Sequence, residues 1–305
     1  MQFSLDRTHY GARDSTLIYG VYKGIFKSFS VIFSDCLSLP PEVKEGQPVE
    51  GTAFENPVVI PVDQHRLDVL CSFLFHLGWK DEIDRNVTDL IVLGEIAQMY
   101  NIPDALKYAI YNLQYHRNFH RGIRVQYACT FGVPNWGLQG TKEILGSSAG
   151  VGTEMDKAKL ENDVVGILYA GQANQRFYTH LLANTIPNID DDPSWAGCPS
   201  KKTCQKILAQ GWSDVIVPAL KVNMESLVYL RVIIELKVIG NPDIMQDPDP
   251  AFSSMHSTCR RALCNRVDQV VTRISDFIGE ETGNMVKDYI KKKHPQVHDN
   301  EGWVI

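Results

Sequence analysis

The stretch LIYGVYKGIFKSFSVIFSDCLSLPP, residues 17 to 41, followed after a polar interval by NPVVIPVD, residues 56 to 63, decides the reading of the fold. Leu17, Tyr19 and Val21 alternate with their neighbours, so they share one face of a short strand. From Ile25 the interval changes. Ile25, Phe26, Phe29, Ile32, Phe33 and Cys36 recur at threes and fours, the spacing of helical turns that face a core. Leu39-Pro40-Pro41 ends those turns, because proline lacks the amide donor and clashes with the preceding turn. Residues 42 to 56, EVKEGQPVEGTAFEN, hold too little apolar area to order themselves and read as an acidic surface loop. Val58, Val59 and Ile60, set between two prolines, read as a short strand buried on both faces.

Further along, Leu67, Leu70, Leu74 and Leu77 fall at helical intervals. So do Leu90, Leu93, Ile96, Ala97 and Tyr100, and then Leu106, Ala109, Ile110 and Leu113. Asn101-Ile102-Pro103 joins a helix-ending residue to a proline suited to a first helical turn, which predicts a tight helical hairpin. Asn86-Val87-Thr88 has the form of a glycosylation acceptor but reads as the start of a helix. The sum is an α+β arrangement, a small sheet with helical hairpins.

Residues 17 to 23 feeding a helix over 28 to 35, the Leu39-Pro40 stop, and residues 96 to 103 (IAQMYNIP) together carry a resemblance. The first 120 residues resemble a BTB/POZ domain, most closely the divergent form common in fungal proteins, over about a third of the chain. Tyr22 stands where that family usually has a histidine, and residues 2 to 13 have little of its usual first strand, which many relatives use for dimer exchange. The resemblance implies a non-enzymatic protein-protein interaction module. Such modules self-associate, recruit transcriptional partners, or act as adaptors for cullin-type ubiquitin ligases. The chain shows no kelch, ankyrin or zinc-finger pattern that would serve as an adaptor's second domain.

Residues 121 to 305 read as a separate, mainly α-helical C-terminal region. Val133-Pro134-Asn135-Trp136 resembles a turn found just after the domain in the fungal relatives. Small-residue and acidic loops at 146 to 152 and 186 to 197 leave helices over 155 to 184 and 201 to 239. Gly240-Asn241-Pro242 and Asp247-Pro248-Asp249-Pro250 mark a break. A long final helix follows, carrying Leu263, Val267, Val270, Ile274, Phe277 and Ile278 until Lys291-Lys292-Lys293, whose cations complement the helix's C-terminal end.

Composition narrows the function classes. With 44% apolar and 22% charged residues the chain is an ordinary globular one, and a net charge of -6 offers no positive field for a phosphate backbone. No nucleic-acid partner is expected. Neither a leader nor a run of about 18 apolar residues is present, which predicts a soluble intracellular protein, cytoplasmic or nuclear, with no membrane partner. Seven cysteines, an odd number, read as reduced thiols.

Several constellations have the residue types that chemistry needs. Gly146-Ser147-Ser148-Ala149-Gly150 matches the nucleophile elbow of a serine hydrolase, which would make Ser148 the nucleophile, but residues 141 to 145 before it read as a helix end where an elbow needs a strand. His116 and His120 lie four apart on one helix, a spacing that lets two imidazoles meet a single metal ion. Arg117 occupies the place of a zincin glutamate, so they read as a basic helix terminus. Cys198, Cys204, His256, Cys259 and Cys264 could supply soft ligands for zinc, whereas their spacers also suit small core residues. Asp190, Asp191 and Asp192 lack the periodicity of a calcium loop and read as a solvated run. Phe26, Phe29, Phe33, Phe73 and Trp79 read as core. The expectation is a protein partner bound through residues 42 to 56 or the exposed faces of the helices between Leu67 and Leu113. No catalytic residue, cofactor or metal ligand is expected. A serine hydrolase and a zinc-stabilised regulatory protein are the alternatives.

Overall fold

The computed structural model describes residues 2–5, 18–39, 58–75, 85–147, 151–153, 158–188, 195, 198–222, 227–240 and 247–295. The acidic stretch at 42 to 56, Ser148, Trp79 and Asp190 to Asp192 lie outside them. The chain divides into two compact units, one within Met1–Phe119 and the other within His120–Asp299. Among the described residues no helix is long and apolar enough to cross a membrane.

The first unit is built on strands β1 (Gln2–Leu5), β2 (Ile18–Gly20) and β3 (Val58–Ile60) in the order β2-β1-β3. β1 is central, antiparallel to β2 with Phe3 opposite Tyr19 and parallel to β3 with Ser4 opposite Val59. A strand at Gln2–Leu5 departs from the expectation for residues 2 to 13: QFSL is too short to show alternation, and its pairing partners lie far along the chain. β3 is also corrected. As an edge strand it buries Ile60 but leaves Val59 55% exposed, so only one face is covered.

Helices α1 (Lys23–Phe29) and α2 (Val31–Cys36) are separated by Ser30 in extended backbone at φ -134°, ψ 125°. The buried Ser30 hydroxyl accepts the Phe33 amide and donates to the Tyr100 carbonyl, which caps α2 and ties it to a remote turn. Phe26 meets Phe33 edge-on at 5.1 Å, and Phe33 stacks on Tyr100 at 4.7 Å. Phe29 is only half-buried, unlike Phe26, Phe33 and Phe73.

Among the described residues this unit also has α3 (Gln64–Phe75), α4 (Val87–Met99) and α5 (Pro103–Tyr115). They bury Leu67, Leu70 and Leu74, then Leu90, Leu93, Ile96 and Ala97, then Ala109, Ile110 and Leu113. Each such leucine stabilises the unit by roughly 1.5–3 kcal/mol. Asn86 starts α4 as its cap, its Oδ1 accepting the Asp89 amide at 2.7 Å. The α4–α5 turn is tight because Asn101 takes a left-handed φ of 47° and Pro103 opens the next helix.

The second unit is helical: α6 (Arg121–Phe131), α7 (Pro134–Leu145), α8 (Asn162–Ala183), α9 (Lys201–Gly211), α10 (Val217–Val222), α11 (Leu227–Ile234), α12 (Pro250–Ser253) and α13 (Ser257–Lys293). Val133-Pro134-Asn135-Trp136 is therefore the start of a helix, with Gly132 at φ 68° ending α6 before it. Over 201–222 and 227–239 the chain is helical as expected, with π-helical turns at Trp212–Ile216, between α9 and α10, and at Glu235–Ile239, after α11. Trp212 is buried there and donates its indole N–H to the Ala183 carbonyl. α13 runs along α7, with Gly283 against Leu138 and Gly137 against Ile290. Its seam includes Leu263, Val267 and Ile278, whereas Phe277, expected inward, is 56% exposed and Val270 and Ile274 are half-buried.

Candidate functional site

Three of the five nominated zinc-type residues come together in the second unit. Cys198 precedes α9, Cys204 sits in its first turns, and Cys259 lies in the first turn of α13. Their sulfurs all lie within 4.8 Å of one another, with Cys198 Sγ 3.7 Å from Cys204 Sγ, and all three residues are buried. Two helix N-termini thus begin at one point, where unpaired amides and the helix dipole favour negative charge on sulfur.

Backbone donors reach two of these thiols. The His256 amide donates to Cys204 Sγ at 3.5 Å, and the Ser200 amide donates to Cys198. The Cys198 thiol is held below its ordinary range, chiefly by its hydrogen bond with Cys259. The Ser200 amide, the Cys204 thiol and the Lys201 charge add to this and outweigh burial. Burial pushes Cys259 up to about 12, with its hydrogen bonds to Cys198 and Cys204 adding to the rise.

Cys264 is not part of the cluster. Five residues beyond Cys259 on a helix, it points about 140° away. Burial, followed by the charges of Glu235 and Asp268, pushes it up to about 12. Cys71 and Cys129 are likewise driven up to about 12, mainly by burial, as suits thiols that pack without reacting. All seven cysteines are free. The His256 side chain is exposed at the cap of α13, its Nδ1 2.7 Å from Thr258 Oγ1, so its main chain touches the cluster and its ring stands outside.

His116 and His120 do not share a helix: His116 caps the end of α5 and His120 the start of α6. The break comes from residues 116 to 119, where His116 Nδ1 accepts the Asn118 amide and His116 Nε2 lies 3.1 Å from the Arg85 carbonyl. Among the described residues, no group of three or more ligand-type side chains includes either histidine. His116 instead lines a groove of about 620 Å³ in the first unit with Arg85, Leu90, Tyr111, Asn112, Tyr115 and Arg117. Tyr111 and Tyr115 are 48% and 71% exposed and meet edge-on at 5.4 Å on the outer face of α5. Sequence periodicity had no means of finding this groove, because it selects the apolar stripe and ignores tyrosines on the opposite face.

No protein-family model, curated protein or solved structure matches the chain.

Proposed function

We propose that the chain works by noncovalent recognition of another protein, through a first unit of BTB/POZ type, with adaptor duty in a transcriptional or cullin-type ligase complex as the role that the resemblance implies. The observation that carries this reading is the groove beside α5. Two exposed tyrosines, an exposed arginine and a histidine flank an apolar floor at Leu90, and tyrosine and arginine are the residues that dominate binding energy at protein interfaces. The presence in this unit of a small sheet, the paired helices α1 and α2, and the α4–α5 hairpin is also in keeping with the resemblance. Arg85 and Arg117 favour a partner segment that carries carboxylates.

The test uses the full chain as bait in reducing extract, with proximity cross-linking from α5 and mass spectrometry to identify what is held. Tyr115→Ala and Arg117→Glu are then compared with the parent on the captured partner. Each should weaken binding about tenfold, the scale of an interface hot spot. Equal affinity of both variants and parent would remove the groove from the interaction.

A further inference from the structure

We propose that Cys198, Cys204 and Cys259 bind a zinc ion, with the imidazole of His256 as the fourth ligand. The site lies in the second unit and stands independently of the recognition surface on α5. Buried thiols can cluster simply as small apolar groups, so the metal reading rests on what else meets there. Zinc holds thiolates at about 2.3 Å, and two ligands on a tetrahedron of that radius are about 3.8 Å apart. Cys198 and Cys204 are separated by 3.7 Å, and Cys259 lies within 4.8 Å of both.

The polar surroundings favour thiolates. A neutral thiol is a weak acceptor, yet the His256 amide is directed at Cys204 at 3.5 Å, and two helix N-termini add their partial positive charge. Three thiolates together at that spacing would repel strongly without a cation between them. A disulfide between Cys198 and Cys204 would leave Cys259 with no function, whereas a tetrahedral ion uses every sulfur.

His256 fits the remaining position. It stands three residues before Cys259, and a two-residue spacer is a standard separation for paired zinc ligands. Its main chain already contacts Cys204, and its ring is exposed and held only by Thr258. To serve as a ligand the side chain would turn away from Thr258. The three thiols release their protons to solvent as the ion enters. With four protein ligands the site is closed and structural, joining the start of α9 to the start of α13.

Full-length protein purified under reducing conditions is assayed for zinc by elemental analysis, then stripped and titrated with Co(II), whose thiolate charge-transfer and tetrahedral d–d bands report the ligand set. One zinc per chain and strong sulfur-to-cobalt bands are expected. Cys204→Ser should abolish both, and Cys264→Ser should leave both unchanged. His256→Ala, an exposed change that spares the core, should weaken metal affinity by about tenfold or more. Where a cysteine variant fails to fold, the Co(II) spectrum of the parent decides. Absence of thiolate bands overturns the site, as does zinc retained in soluble Cys198→Ser, Cys204→Ser and Cys259→Ser proteins. A Cys198–Cys204 disulfide in a chain that takes no metal when reduced overturns it too, and unchanged affinity in His256→Ala removes the fourth ligand.

Discussion

Ser30 shows how one side chain can set the geometry of a region. Its oxygen caps α2 and its proton serves the Tyr100 carbonyl, so Ser30→Ala removes a cap and orphans a buried acceptor at once. A loss of about 1–3 kcal/mol in urea unfolding is expected. At the other end of the chain, Glu161 accepts from Tyr289 and Lys293, one helical turn apart on α13. Burial alone raises the Glu161 pKa, but donation from Lys293 and Tyr289 outweighs it and the net pKa is lowered. The same bond, followed by burial, raises Tyr289 to about 12. A carboxyl depressed in the fold contributes stability above its unfolded pKa, and that contribution disappears as pH falls below about 4.3. A phenol raised in the fold contributes below pH about 10 and loses the contribution as pH rises towards 12. Tyr289→Phe should flatten the alkaline limb of stability against pH and cost about 1 kcal/mol at neutral pH, modest because Glu161 and Lys293 are partly exposed. An unchanged alkaline limb in thermal melts would show that the bond contributes nothing. Neither the Ser30–Tyr100 bond nor the Glu161–Tyr289 bond was legible in the sequence, since the two ends lie 70 or more residues apart.

Among the elements, legibility followed burial. The helices α3 to α5 were readable from their leucine stripes because one face of each is buried and the periodicity records that fact. Val58-Val59-Ile60 was readable as a strand but not as an edge, because three β-branched residues look the same whether or not the second face is covered. The π-helical turns at Trp212–Ile216 and Glu235–Ile239 insert a residue into helical periodicity, and a pattern read by eye passes over them. Glycines separate two further outcomes. A methyl at Gly166 of α8 meets nothing within 4 Å, so Gly166→Ala should stabilise by about 0.5–1 kcal/mol through the lower entropy of the unfolded chain. At Gly283 of α13 the same atom would lie 2.5 Å from Leu138 Cδ1 and 3.1 Å from the Leu138 carbonyl oxygen. Gly283→Val should therefore cost about 1–3 kcal/mol by forcing α7 and α13 apart, and a melting temperature at or above that of the parent would contradict this packing.

For the molecule as a whole, the sequence could nominate the five zinc-type residues but not choose among them, because nothing local says that the starts of α9 and α13 converge. Each unit has its own apolar core, around Leu67, Leu93 and Leu113 in the first and Trp136, Leu168 and Leu263 in the second. Trp136, Trp195 and Trp212 are all buried in the second unit, whereas Trp79 and Trp303 fall in the residue ranges of the first, so in a Trp79→Phe, Trp303→Phe background tryptophan fluorescence reports on the unit that holds the thiol cluster. Zinc bound to the folded state at a hundred times its Kd adds about 2.7 kcal/mol of stability. For a unit of this size, removing it with a strong chelator under reducing conditions should lower the fluorescence-detected melting temperature by roughly 5–10 °C. Ser30→Ala should act on the transition of the first unit, which carries none of those three reporters. A fluorescence transition that chelation leaves in place, in protein shown to contain zinc before treatment, would mean that the ion does not brace the second unit.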